Sequence, residues 1–168
     1  MAFATLNDYR PPEKTLLFGN SGSTAVHGSQ FDMIIWNIGY AGLHDSMDFF
    51  YDGGTQVRPA SVAVKNNMDA IKQAIKAFDT INFILLQEVD KASKRSYYID
   101  EHLQISNILP LKQGWLATNY KVPFVPVPVK RPMGKVNSGL ASFSDFAALE
   151  VTRYSSPGTI NGLPACSC

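Results

Sequence analysis

A strand–helix–strand pattern between residues 31 and 86 constrains the fold of this chain more than any other feature. Residues 31–38 form a short apolar run that stops at Gly39, which predicts a buried strand. From about Ser61 to Phe78, apolar residues recur at helical spacing, and residues 81–86 then predict a second buried strand. Strand, helix and strand in this order form a βαβ unit with parallel pairing and a right-handed crossover. The pattern therefore predicts an α/β fold.

The flanking segments predict how the rest of the chain is organised. Residues 1–30 are rich in Pro, Gly, Ser and Asn, and we expect an extended N-terminal segment there. A short helix is predicted around residues 99–109, with strands at 116–120, 139–144 and 147–154. The proline-rich segment 122–129 suits a sheet edge or a loop over the sheet. The expected division is a segment 1–30, a domain 31–158 and a tail 159–168.

Composition excludes several classes of protein. The chain has 15 Lys and Arg against 14 Asp and Glu, so its formal net charge is +1, which excludes a strongly basic nucleic-acid-coating protein and an acidic tail protein. No apolar run approaches the roughly 18 residues of a transmembrane helix, and the first residues lack the features of an intact signal peptide. The two cysteines, Cys166 and Cys168, are too close together to bridge easily and too few to saturate zinc. Neither localisation nor redox compartment follows from these features.

Two polar residues, Asn37 and Glu88, stand at the carboxyl ends of the two predicted parallel strands. Ligands of open α/β sheets bind at that edge. Carboxylate and carboxamide oxygens are hard ligands that suit Mg²⁺ or Mn²⁺. By spacing alone, Asn37 could equally be a turn former and Glu88 a surface charge, so both interpretations stay open at this point.

Three segments together resemble the endonuclease/exonuclease/phosphatase superfamily, which includes abasic-site endonucleases, DNase I, inositol polyphosphate 5-phosphatases and neutral sphingomyelinases. Residues 36–40 contain a strand ending in Asn37, residues 85–90 contain a strand ending in Gln87 and Glu88, and residues 138–144 fit the type Gly-Leu-Ala-x-x-Ser. Residues 51–54 and 119–126 look like a bacterial branch of this superfamily. The resemblance covers about residues 31–158.

The resemblance implies a four-layer α/β sandwich (DNase I-like), of which this chain would supply the first half: a mixed sheet with flanking helices, incomplete alone. It implies a Mg²⁺-dependent (or Mn²⁺-dependent) phosphoric-ester hydrolase in which water attacks a metal-bound phosphate. Glu88 would bind the metal, and Asn37 would help hold it or orient the scissile phosphate. Gln87 is expected to support Glu88 without binding the metal itself.

Other polar residues are weaker candidates. Lys130, Arg131 and Lys135 either contact a phosphate or form a solvated loop. Asp90 is expected to accept hydrogen bonds in the loop after the strand, and Arg95 has the same two alternatives as the three basic residues. The chain's histidines share no metal-binding spacing and are expected to be structural or surface residues: His27, His44 and His102. The phosphoester substrate could be nucleic acid, phosphoinositide or phospholipid.

The motifs that the superfamily carries in its second half, an Asp-x-Asn motif and a late Asp-His pair, do not follow Tyr154. The alternative function is therefore a catalytically inactive fragment or a phosphate- or partner-binding module. A half-sandwich would also leave one sheet face open, so self-association through that face is expected. Restoring one nucleotide after the Asn161 codon would change the tail into a Trp-Pro segment typical of the branch, which suggests a frameshift in residues 159–168.

Overall fold

Six strands and two helices build the part of the chain that the computed structural model describes, residues 9–20 and 30–155. The strands are β1 (Lys14–Gly19), β2 (Met33–Asn37), β3 (Phe83–Asp90), β4 (Gln113–Val125), β5 (Gly134–Ser144) and β6 (Glu150–Tyr154), and the helices are α1 (Ser61–Ala77) and α2 (Glu101–Ile108). Short 3₁₀ turns lie at Gly39–Ala41 and Phe50–Asp52. The chain therefore has the predicted α/β composition.

Four strands form a mixed sheet in the order β2-β3-β5-β4. Strands β2 and β3 are parallel neighbours, with Met33 opposite Phe83 and Asn37 opposite Gln87, and α1 connects them. The predicted βαβ unit is thus confirmed. Strand β5 is antiparallel to both β3 and β4, and β4, which contains Pro123, lies at the edge of the sheet, where proline is tolerated.

The two helices pack on one face of this sheet and enclose the main core. The apolar stripe of α1, including Val64 and Met68, is buried against Ile84 and Leu86 of β3. Asp100 is the N-cap of helix α2, and its side chain accepts a hydrogen bond from the Leu103 amide at 2.9 Å. Packing on one face explains why alternate residues of β3 are buried.

The opposite face of the sheet is only partly covered. Strands β1 and β6 form a small antiparallel sheet, which reaches β4 where the rings of Phe18 and Trp115 lie 6.0 Å apart. Toward β2 the face is open, and Met33, Ile35 and Leu140 are 55%, 63% and 45% exposed. The sheet thus presents apolar side chains to solvent on the side away from the helices.

Strand β1 lies within residues 1–30, where the sequence predicts an extended segment and no particular strand. Lys14–Gly19 pairs with β6, with Lys14 opposite Tyr154. The strand is short and its partner β6 lies at the far end of the chain, so no local sequence pattern predicts the pairing. His27, both cysteines and the proposed frameshift at 159–168 lie outside the described residues. Within residues 9–20 and 30–155, no helix is both long and apolar enough to cross a membrane.

Candidate functional site

The structure brings Asn37 and Glu88 together at one end of the sheet. Their strands are parallel neighbours, so both carboxyl ends meet at the same edge. The Asn37 Nδ2 group donates a hydrogen bond to Glu88 Oε1 at 3.0 Å. Two residues 51 positions apart in the chain therefore form one polar site.

The orientation of the Asn37 carboxamide follows from its second contact. The main-chain amide of Gly39 donates to Asn37 Oδ1 at 2.9 Å. A main-chain amide can only donate, so the oxygen must face Gly39 and the nitrogen must face Glu88. Asn37 thus holds the carboxylate, and the second hydrogen of its Nδ2 group can be donated to an anion.

A β-bulge aims Glu88 at this site. Between the pairs Leu86–Ala141 and Val89–Gly139, β3 advances by one residue more than β5. Regular alternation would turn Glu88 toward the same core face as Leu86; with the bulge, Val89 is buried there instead. Glu88 itself adopts φ +55°, a left-handed conformation that costs a non-glycine residue on the order of 1–3 kcal/mol. Backbone strain of this kind is found mostly at functional sites, which supports a role for Glu88 beyond packing.

The turn that follows Asn37 is strained as well. Gly39, Tyr40 and Ala41 have φ values of +54°, +43° and +51°. The Tyr40 side chain is fully buried, and its hydroxyl group has no hydrogen-bond partner among the described residues. Burial raises the pKa of Tyr40, so the phenol stays neutral.

A buried ion pair lies next to the site. Arg95 donates from Nε to Asp90 Oδ2 at 3.0 Å and from Nη2 to Asp90 Oδ1 at 2.9 Å, and Ser96 Oγ donates to Asp90 Oδ2 at 2.8 Å. Asp90 therefore accepts hydrogen bonds, as expected. Arg95 matches neither predicted alternative, because its side chain is only 12% exposed and is paired inside the protein. Burial opposes the charge of Arg95, but the charge and hydrogen bonds of Asp90, together with the smaller effects of Tyr40 and Glu88, raise the pKa of Arg95.

Glu101 of α2 completes this buried group. Its Oε2 atom accepts a hydrogen bond from the Asp90 amide at 2.8 Å, while Oε1 is buried with no partner in the described part of the chain. Burial, and then the negative charge of Asp90, raise the pKa of Glu101 well above its ordinary value. The neutral carboxylic acid is therefore favoured at this position.

The three candidate phosphate contacts lie at the same end of the sheet as Glu88. Strand β5 runs antiparallel to β3, so it begins where β3 ends; Lys135 is near that beginning, and Lys130 and Arg131 precede it in the connection from β4. All three are exposed. The carbonyl of Lys135 accepts a hydrogen bond from the Lys94 amide at 2.8 Å, which ties β5 to the loop after β3.

In the part of the chain that the structure describes, the Gln87 side chain makes no hydrogen bond to Glu88. Its side chain is exposed, and its carbonyl accepts the Ile38 amide at 3.1 Å. Asn37 takes the supporting role that the sequence assigned to Gln87.

A cavity of about 500 Å³ lies between the free edge of β2 and α1, and Asn37 lines it. His44 lies on its wall, with Nδ1 hydrogen-bonded to Ser46 Oγ at 2.9 Å. The sequence offered no signal for this placement, since the turn Gly39–Ala41 brings His44 back toward β2. His102 instead stacks on Phe143 at 5.4 Å, in the structural role expected of it.

Few side chains at this site could hold a metal ion. Within the described residues, no group of three or more His, Cys, Asp or Glu side chains could hold a metal. Mg²⁺ does not require such a cage, because it keeps several waters and commonly binds through one or two carboxylates together with substrate phosphates. Glu88, held by Asn37, supplies one such carboxylate.

Comparison with known proteins adds no relative. No protein-family model matches the chain, and neither a curated protein nor a solved structure matches it. The resemblance to the endonuclease/exonuclease/phosphatase superfamily therefore stays a prediction that rests on the three segments 36–40, 85–90 and 138–144.

Proposed function

We propose that this chain is the first half of a Mg²⁺-dependent or Mn²⁺-dependent phosphoric-ester hydrolase of the four-layer sandwich type. The contact between Asn37 and Glu88, at the ends of adjacent parallel strands, is the observation that carries the proposal. The open sheet face around Met33 and Ile35 also supports it, because a second sheet would pack there in a sandwich.

Each residue of the site has a role in this proposal. Glu88 would hold the metal ion, which when bound would neutralise charge on the phosphate oxygens. Asn37 fixes the Glu88 carboxylate and donates its remaining N–H hydrogen to a phosphate oxygen. Hydrolysis would join the oxygen of a water molecule to phosphorus while the bond from phosphorus to the leaving oxygen breaks, and a proton of that water would end on the leaving oxygen.

A basic stretch favours a phosphoester as the substrate. From Gln113 to Ser144 the chain contains no Asp or Glu, and its basic residues are Lys121, Lys130, Arg131 and Lys135. The last three lie at the end of the sheet where Glu88 is found. Their charge attracts an anion to the site, whether the phosphate belongs to nucleic acid, a phosphoinositide or a phospholipid.

Metal titration tests the proposal. We expect Mg²⁺ to bind no more tightly than roughly millimolar, the weak end of the range for carboxylate-based cation sites. Glu88→Gln should weaken binding further, because the substitution removes the charged ligand. The matched control is Glu150→Gln, since Glu150 is an exposed glutamate of β6. Tight binding that survives Glu88→Gln in calorimetry would show that the metal has been assigned to the wrong residue.

The second candidate function is a phosphate- or partner-binding module without catalysis. The single carboxylate at the site favours this alternative, because no group of metal-ligating side chains surrounds it in the described residues. Hydrolysis of bis(p-nitrophenyl) phosphate with and without Mg²⁺ separates the two functions. Turnover that Glu88→Gln abolishes rejects the binding module, whereas phosphate binding without turnover supports it.

A further inference from the structure

We infer that Arg95 is a positioning residue that joins the two strand ends carrying Asn37 and Glu88. The expected effect of Arg95 on metal binding rests on the proposed function. That Arg95 positions Asn37 and Glu88 rests only on the contacts that it makes on both sides of the site. Arg95 contacts Asp90, which follows Glu88, and Tyr40, which follows Asn37.

On the β3 side, Arg95 holds the end of the strand. Asp90 lies two residues after Glu88 and is fully buried. The guanidinium group binds both of its carboxylate oxygens, at 3.0 and 2.9 Å. A bidentate contact fixes orientation as well as distance, so it restrains the backbone directly after the strained Glu88.

On the β2 side, Arg95 holds the turn that orients Asn37. Its guanidinium carbon lies 3.7 Å from the centroid of the Tyr40 ring. Tyr40 follows Gly39, whose amide binds Asn37 Oδ1 and turns the Asn37 nitrogen toward Glu88. Holding the Tyr40 ring therefore holds the turn that sets the Asn37 carboxamide.

Two strained segments need tertiary contacts to keep their conformation. Glu88 and Tyr40 both have positive φ, and one guanidinium group contacts the chain beside each. Arginine suits this role because its planar fork binds a carboxylate edge-on while its face stacks on a ring; lysine offers only a point charge. Arg95→Lys should thus preserve the charge and loosen the geometry of the site.

The expected effect is a loss of metal affinity without a loss of the metal ligand. Removing a group that orients a ligand typically weakens metal binding by about 10–100-fold. We therefore expect Arg95→Lys to bind Mn²⁺ at least about 10-fold more weakly than the unmodified chain.

Two measurements test the inference, with Mn²⁺ alone as the probe. The first is Mn²⁺ affinity by electron paramagnetic resonance. The second is the side-chain amide resonance of Asn37, which is identified by its absence in Asn37→Asp and which general destabilisation does not move. The matched control is Arg153→Lys, because Arg153 also lies over an aromatic ring, at 5.8 Å from Tyr9, but in the small sheet.

The outcomes are distinct. Weaker Mn²⁺ binding and a shifted Asn37 resonance in Arg95→Lys, with neither in Arg153→Lys, support the inference. A folded Arg95→Lys with unchanged affinity and an unchanged resonance overturns it. If the unmodified chain binds no Mn²⁺, the proposed function fails, and the Asn37 resonance alone decides: a shift supports the role of Arg95, and no shift overturns it.

A double variant covers the case in which Arg95→Lys does not fold. Asp90→Asn/Arg95→Gln removes both charges of the buried pair, so no unpaired charge is left in the interior. A shift of the Asn37 resonance in this double variant supports the role of Arg95. An unchanged resonance overturns it.

Discussion

Replacing Asp90 with alanine should destabilise this protein far more than replacing an exposed aspartate of similar pairing. The Asp90 side chain is 0% exposed and accepts two hydrogen bonds from Arg95 and one from Ser96. Asp90→Ala leaves the Arg95 guanidinium buried, with its side chain 12% exposed and no counter-charge at that position. Breaking a buried pair from one side costs about 3–5 kcal/mol.

That cost is a large part of the stability of a typical domain, which is about 5–15 kcal/mol. For chains of this size, each kcal/mol lowers the melting temperature by about 2–4 °C, so we expect a fall of about 6–20 °C. Asp90→Asn keeps one acceptor oxygen and should give a smaller loss.

The assay is urea unfolding followed by circular dichroism, with Asp69→Ala as the matched control. Asp69 pairs with Lys72 at 2.7 Å on α1, but the two side chains are 62% and 26% exposed. Exposed pairs contribute about 0–1 kcal/mol, because water screens them. If Asp90→Ala loses no more than about 1 kcal/mol beyond Asp69→Ala, then the buried pair is not a structural link and the reasoning is wrong.

Two further predictions follow from the same structure. The pKa of Glu101 is raised in the folded protein above 4.5, the ordinary value that it has in the unfolded chain. The protonated Glu101 therefore stabilises the fold fully below about pH 4.5, and this stabilisation is lost as the pH rises through the raised pKa. Glu101→Gln is neutral throughout, so its unfolding free energy in urea should gain on the unmodified chain as pH rises, and a constant difference would contradict this. The unmodified chain should self-associate through its open sheet face, and Ile35→Lys should shift sedimentation toward monomer while Val62→Lys, on α1 and 68% exposed, should not. A monomeric chain that melts cooperatively above about 50 °C and binds no hydrophobic dye would rule out the open face as a docking surface.

The elements with strong local patterns could be predicted from the sequence. The helix stripe through Val64 and Met68 and the apolar runs at 31–38 and 81–86 each identify one element, and a βαβ unit follows from their order. Strand β1 could not be predicted in this way, because Lys14–Gly19 is short and gains its structure from pairing with β6.

Part of the candidate site could be predicted from the sequence, and part could not. The sequence placed Asn37 and Glu88 at one sheet edge, because parallel strands joined by a helix end on the same side. It did not predict that Arg95 would be buried, since an arginine in a polar loop has no local pattern that distinguishes a solvated side chain from one paired with Asp90 and stacked on Tyr40.

By itself, the sequence determined that the chain forms an α/β structure and which two polar residues lie near the carboxyl ends of the parallel strands, because both depend on short-range periodicity and chain order. Only the tertiary structure decided where Glu88 points. Alternation from Leu86 would have turned it into the core, and the bulge between β3 and β5 reversed that direction. A bulge arises from the pairing of strands far apart in sequence, so the residues around Glu88 alone do not specify it.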